Sequence, residues 1–174
     1  MSERKGLGIA DWAVMGVIAL GVAVSYRGAL HGEFMLDDRS FVMENQVIKQ
    51  VLPIERFFTS REAYASTAHF PVYRPLTPLS YALELKLHGM GVEGFHLTNI
   101  VLHGCCAVMV FVVLRRMLGS TVGAGVPALL FAVHPANVES VAWVAQRAGL
   151  LSLLFFLVAM RPSLSPLPRR FASP

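Results

Sequence analysis

Residues 97–114 read LTNIVLHGCCAVMVFVVL, and Arg115-Arg116 follow at once. This run holds no Asp, Glu, Lys or Arg, and its length is what a helix needs to cross a bilayer, roughly 17–25 residues. Similar apolar blocks lie near 7–26, 117–133 and 138–160. The composition agrees: 55% of the chain is hydrophobic and 15% charged, against about 25% charged in soluble domains. The mean hydropathy is +0.56. An ordinary water-soluble enzyme, a disordered tail and a disulfide-stapled secreted domain are excluded. The fold predicted is an all-α integral membrane protein of about four transmembrane helices, with amphipathic interfacial helices in a long first extracytoplasmic loop.

Charge placement orients those helices. Fifteen Lys and Arg against eleven Asp and Glu give +4, but the bases are clustered. Arg4 and Lys5 precede the first block, Arg115 and Arg116 follow the second, and Arg161, Arg169 and Arg170 follow the fourth. The positive-inside rule puts all three clusters in the cytoplasm. The segments predicted are a cytoplasmic leader (1–6), a first transmembrane helix (7–30) and an extracytoplasmic loop (31–95). Three further transmembrane helices (96–160) and a disordered cytoplasmic tail (161–174) complete the chain. Four prolines among the last 13 residues argue against helix in that tail. The location expected is a multi-pass protein of the bacterial inner membrane with a cytoplasmic N-terminus. Ala23-Val24-Ser25 resembles a signal-peptidase site, but Asp11 and the long apolar run favour a retained anchor. Cys105 and Cys106 are adjacent, lack metal-binding spacing and read as packing residues. No basic stripe with interleaved aromatics points to nucleic acid.

Within the loop, Leu79, Leu83 and Leu87 sit four apart, the spacing of an amphipathic helix on a membrane surface. Gly123, Gly125 and Pro127 predict a bend in the third block, and Pro135 suits the first turn of the fourth helix.

Polar residues at membrane depth carry the functional signal, because an idle charge there is costly. Asp37 and Asp38 are neighbours whose repulsion should raise the pKa of one and make it a better proton acceptor; on spacing alone the reading favoured is Asp38 as the N-cap of a helix starting near Ser40. Arg74 lies between Tyr73 and Pro75, where it suits a lipid phosphate or interfacial snorkelling. His96, Asn99 and His103 share one helix face and line a cavity or pack against helices. Two turns between the histidines disfavour metal ligation. Glu139, Trp143, Gln146 and Arg147 are spaced to share a face of the fourth helix. A buried Arg147 needs a counter-charge, either a protein carboxylate or an anionic ligand.

Taken in order, Asp37-Asp38, Tyr73-Arg74-Pro75-Leu76-Thr77, Phe95-His96-Leu97-Thr98-Asn99 with Leu102-His103, and His134-Pro135 with Glu139-Ser140-Val141-Ala142 and Arg147 resemble a known family. They look like the N-terminal membrane part of the transmembrane and tetratricopeptide-repeat proteins, fold-C glycosyltransferases related to protein O-mannosyltransferases. The resemblance covers about residues 10–160. It implies transfer of a sugar, typically mannose, from a polyprenyl-phosphate donor to a hydroxyl acceptor outside the cytoplasm, with inversion. It further implies that the acidic pair serves as general base, assigned here to Asp37 with Asp38 in support. Arg74 and Arg147 become candidates for the donor phosphate, and His134 and Glu139, with His96, Asn99 and His103, candidates for lining the cavity. The partners expected are the lipid bilayer, the lipid-linked sugar donor and a hydroxyl-bearing acceptor, protein Ser/Thr among the candidates; a homo-oligomer is a further expectation. No cofactor is expected, the lipid-linked sugar being a substrate; no residues are read as metal ligands, and dependence on a divalent metal is left open.

The chain departs from the family in showing neither further membrane helices nor repeats of about 34 residues. It is therefore expected to be a truncated piece, inactive alone, with its polar helix faces open to lipid. A non-catalytic membrane scaffold or assembly subunit is the alternative. A small transporter lacks support from any inverted repeat.

Overall fold

The computed structural model describes residues 6–60 and 73–163. The basic leader, the His69-Phe70-Pro71-Val72 half of the Arg74 motif and the tail expected to be disordered lie outside the described residues, apart from the first few tail positions.

Among the described residues every regular element is helical. Helix α1 (Ile9–Tyr26) runs into a 3-10 turn at Arg27–His31. After a loop with two short turns and α2 (Arg56–Thr59) come α3 (Leu76–His88) and α4 (Val92–Leu118). Then follow α5 (Thr121–Val133), α6 (Val138–Ala142) and α7 (Arg147–Ser163).

At 1.5 Å per residue the 27 residues of α4 extend about 40 Å, longer than a hydrocarbon core of about 30 Å. The helix stops at Gly119, whose φ of 67° is left-handed and suits glycine. Ser120 Oγ then caps α5 by accepting from Gly123 N at 3.1 Å, so α4 and α5 form a tight hairpin. Helix α1 packs on both through Met15, Ile18 and Val22 against Phe111, Ala124, Ala128 and Ala132. The alanines recur every fourth residue, and small residues let membrane helices approach closely. A Cβ on Gly125 would stand 3.1 Å from Val14 Cγ1.

A buried carboxylate ties the ends of these three helices. Asp11 Oδ1 accepts from Arg115 Nε and Thr121 Oγ1, both at 2.8 Å, and its Oδ2 accepts from Gly8 N at 2.9 Å. At the opposite end, Tyr26 Oη donates to the His134 carbonyl. The start of α1 and the α4–α5 turn thus share one end.

Two helical stretches, Ile9–His31 and Val92–Leu118, are long and apolar enough to cross a membrane. A third span would be Thr121–Val133 together with Pro135–Ala142, which meet at a 50° bend. The chain is an all-α integral membrane protein; its described residues hold two such spans, or three with the bent pair, and Val144–Met160 is a shorter apolar helix, so the expected count of about four is not confirmed. Two breaks shape the chain after α5. His134, preceding a proline, is extended (φ −67°, ψ 130°), and Trp143 is extended as well (φ −98°, ψ 115°). The bend expected near Pro127 falls instead at His134-Pro135, with α5 continuous through Pro127.

The described parts of the 31–95 stretch, 31–60 and 73–95, fold onto one end of the bundle around a second core. Phe41, Val42, Ile48, Phe57, Tyr81 and Ala82 pack there with Phe95 of α4 and with Val144 and Ala145. Helix α3 is turned inside out relative to a soluble helix: Tyr81 and Glu84 are buried, whereas Leu76, Leu83 and Leu87 are exposed. An exposed leucine face suits lipid contact at a membrane surface.

Candidate active site around the acidic pair

The break at Trp143 decides what Arg147 touches. Helix α7 begins at Arg147, which is wholly buried in the second core. Its Nε donates to Asn99 Oδ1 at 2.8 Å, one terminal nitrogen donates to Ser80 Oγ at 3.2 Å and to Glu84 Oε2, and the other donates to the Phe95 carbonyl at 3.0 Å. The guanidinium also stacks over the Tyr81 ring, 4.6 Å from its centre. Four of its five N–H groups are therefore directed at protein acceptors. Helices α3, α4 and α7 meet on this one side chain, and Glu84 supplies the counter-charge. Asn99 Nδ2 and Tyr81 Oη donate to the carbonyls of Trp143 and Val144, which fastens the break itself.

The broken helix changes the expectation that Glu139, Trp143, Gln146 and Arg147 share one face. Glu139 is exposed, on α6, with Gln146 Nε2 at 3.5 Å, while Arg147 points into the core. Nor are the polar faces open to lipid. His96, Asn99, His103 and Arg147 are all at most 1% exposed; Asn99 and Arg147 bond one another across α4 and α7, and His103 is covered by Tyr26 of α1 and by Phe131 and Ala132 of α5.

The two neighbouring aspartates have opposite surroundings. Leu36 sits at a left-handed φ of 41°, an uncommon conformation for a branched residue. The turn it forms is closed by Asp38 N donating to the Met35 carbonyl at 2.8 Å and by Met35 N donating to Asp38 Oδ2 at 3.0 Å. Asp38 Oδ1 accepts from Ala145 N at 2.6 Å. Asp38 is fully buried and makes no side-chain cap to the helical turn that follows it. Instead, it caps the start of a helical segment more than a hundred residues away, at the Trp143 break. Asp37, one residue earlier, is exposed, and its carboxylate accepts no hydrogen bond among the described residues; only its carbonyl is used, by Ser40 Oγ and Phe41 N. Beside it lies an open depression of about 710 Å³ lined by Phe34, Leu36, Arg39, Met43 and Glu44. Arg39 and Glu44 pair across it at 2.6 Å.

Burial lifts the Asp38 carboxyl above the ordinary value of 3.8, and the N–H groups of Met35, Ala145 and Val144, with the charge of His96, pull it only part of the way back. Desolvation, rather than repulsion from Asp37, is the cause. Because the folded chain holds this proton more tightly than the unfolded chain, its contribution to stability is complete below pH 3.8 and is lost as pH rises through the raised value. The gap in melting temperature between the native chain and Asp38→Asn should therefore narrow between pH 3 and 7. A gap that widens over that interval would contradict this.

The other expected residues fall into two groups. His96 is buried on α4 near Asp38 and Arg147. His103 lies deeper, with Nε2 2.9 Å from the Ala132 carbonyl and its ring edge-on to Tyr26. The structure thus gathers Asp38, His96, Asn99 and Arg147 at one end of α4. Arg74, His134 and Glu139 are exposed. His134 uses Nδ1 to accept from Ala136 N, capping the turn after α5, and Arg74 lies just before α3, beside Tyr73, whose hydroxyl donates to the Phe58 carbonyl. Sequence reasoning missed Glu84, Ser80 and Tyr81 as partners of Arg147; a lone glutamate among the leucines of α3 was the available signal. Among the described residues, no three His, Cys, Asp or Glu side chains group closely enough to hold a metal ion.

The chain is 33% identical over 164 residues to human protein O-mannosyl-transferase TMTC1, covering 91% of this chain and 18% of that protein. It is 35% identical over 140 residues to Drosophila melanogaster Tmtc1, covering 78% and 16%, and 35% identical over 169 residues to human TMTC4, covering 85% and 22%. The TMTC protein O-mannosyl-transferases are thus homologues of this chain over most of its length. The chain spans about a fifth of the length of these relatives. They are animal proteins and lend no support to a bacterial inner membrane. No family model and no solved structure matches the chain.

Proposed function

We propose that this chain is the segment of a membrane O-mannosyl-transferase that supplies the general base, and that the base is Asp37. The observation that carries this reading is the split of the acidic pair: Asp38 is consumed by the fold, while Asp37 is held in a constrained turn where, among the described residues, no donor bonds its carboxylate. The relatives named as protein O-mannosyl-transferases support the sugar and a hydroxyl acceptor on protein. In the reaction proposed, Asp37 takes the proton of a Ser or Thr hydroxyl as its oxygen attacks the anomeric carbon. The bond from that carbon to the donor phosphate breaks on the opposite side, polyprenyl phosphate leaves, and the configuration inverts. Of the two arginines expected at the phosphate, Arg74 is on the surface, and we assign the phosphate to it. Arg147, with four N–H groups committed, holds α3, α4 and α7 in place. The start of α1 and the α4–α5 turn face the cytoplasm in this reading, and the acidic pair faces away from it. The depression beside Asp37 is open, so the donor needs further walls and these 174 residues alone are expected to be inactive.

The test is to supply the intact membrane protein with polyprenyl-phosphate mannose or with a nucleotide-linked mannose, plus a Ser/Thr peptide. Transfer from the lipid-linked donor alone supports the reading. Transfer from the nucleotide donor overturns the donor assignment, and none from either, with folded protein, leaves the scaffold alternative.

A further inference from the structure

Two uncommon pieces of backbone flank the acidic pair. Leu36, before it, is left-handed at φ 41° and leaves its side chain 76% exposed. Arg39–Met43, after it, is a single π-helical turn, closed by Glu44 N donating to the Arg39 carbonyl at 2.8 Å. Both conformations are rare and are found often at functional positions. The wide turn brings together side chains five residues apart, and Arg39 Nε donates to Glu44 Oε1 at 2.6 Å. Both side chains are well exposed, at 76% and 50%. An ion pair so open to water adds little to stability, so the fold does not depend on it. Among the described residues no other group bonds its charged ends. The terminal nitrogens of Arg39 and Oε2 of Glu44 are therefore available at the depression that both residues line with Phe34, Leu36 and Met43. Phe34 is held from the buried side, its ring edge-on to that of Phe95 with centres 5.5 Å apart.

We propose that this depression is the subsite for the hexose of the lipid-linked donor, and that Arg39 and Glu44 read its hydroxyls. A sugar hydroxyl both donates and accepts, and a guanidinium beside a carboxylate offers a partner for each role. Apolar walls with a few polar groups are the usual lining of a small-molecule site, and Phe34, Leu36 and Met43 supply them for the C–H faces of the ring. A polyprenyl chain in the same place would strip water from an ion pair and give nothing back. An acceptor peptide would seek main-chain partners, but the N–H groups of Asp38, Arg39, Phe41 and Glu44 are already used within the turns. Position agrees with chemistry. Leu36 and Arg39 bracket the acidic pair and both line the depression, so a sugar held there lies within reach of a hydroxyl activated by Asp37. The assignment rests on the transferase reading of the chain, and not on which aspartate is the base.

The experiment compares polyprenyl-phosphate mannose with analogues that each lack one hydroxyl of the sugar, in the intact membrane transferase. Arg39→Gln and Glu44→Gln are assayed beside the native protein. A hydroxyl bonded to a charged side chain is worth about tenfold to a hundredfold in kcat/KM, so at least one deoxy analogue should be that much poorer with the native protein. In one of the variants the same penalty should shrink to about threefold or less, because the partner of the missing hydroxyl is gone. Both variants should melt within about 3 °C of the native chain in detergent, as expected for an exposed pair, so folding does not account for the change. Penalties that persist unchanged in both variants would show that the pair does not touch the sugar and overturn the proposal. It also falls if Arg39→Gln weakens every analogue alike, which would put the phosphate on Arg39. A change confined to the preference among acceptor peptides would give the depression to the acceptor, with the same consequence. If Asp37→Asn keeps near-native transfer while the penalty still shrinks, the base assignment falls and the hexose subsite stands. No transfer from any lipid-linked donor by the folded native protein removes both.

Discussion

Arg147→Met should destabilise the folded chain by about 3–5 kcal/mol, the scale of breaking one side of a buried ion pair. The guanidinium is fully buried, so the loss strands Glu84 in the same core and takes the donors from Asn99 Oδ1, Ser80 Oγ and the Phe95 carbonyl. Glu84 Oε1 already lacks a partner. Methionine approximates the volume of the arginine stem, so the loss reports charge and hydrogen bonding more than a void. The double variant Arg147→Met with Glu84→Met should regain much of the stability, since apolar replacement of a buried pair is often neutral or favourable. Denaturant unfolding in detergent, followed by the fluorescence of Trp143 at the helix break, measures both. If the double variant is no better than the single, Glu84 is not the counter-charge that Arg147 requires.

Asp37→Asn should lower the rate of sugar transfer by about 10²–10⁴-fold, the usual contribution of a general base, in the intact protein assayed with a lipid-linked donor. The donor's affinity should change little, because the variant removes a proton acceptor and no phosphate contact. Asp37→Glu, which restores the carboxylate on a longer arm, should recover part of the rate. The Asp37 carboxylate accepts no hydrogen bond among the described residues, so its amide leaves no protein donor unpaired and stability should move by no more than about 0.5 kcal/mol. Near-native turnover by Asp37→Asn would remove Asp37 from the chemistry.

Why some of this was legible in the sequence and some was not follows from range. The long apolar run of α4 and the polar stripe of His96, Asn99 and His103 are local patterns, and both appear in the folded chain. The need of Arg147 for a counter-charge was equally readable, since it follows from the cost of an unpaired ion. Which carboxylate answers it was not, because Glu84 lies 63 residues away and meets Arg147 only once the loop core folds. The same limit applies to Asp38. Its neighbour Ser40 suggested a local cap, while its true partner, Ala145 N, is freed by a helix break at Trp143 that no glycine or proline marks. Periodicity therefore overstated the fourth helix and put Glu139 and Arg147 on one face.

The division of labour within the acidic pair is tested most directly by melting Asp37→Asn and Asp38→Asn side by side in detergent at pH 7. Each substitution is nearly isosteric and removes one charge. For Asp38, relief of the burial cost opposes the loss of an acceptor for Met35 N or Ala145 N, and an N–H left buried without an acceptor costs about 1–3 kcal/mol. With about 2–4 °C per kcal/mol for a chain of this size, Asp38→Asn should melt several degrees below the native chain, and Asp37→Asn should melt with it. Equal losses, or a larger loss for Asp37→Asn, would contradict the assignment of Asp38 to the fold and Asp37 to the reaction.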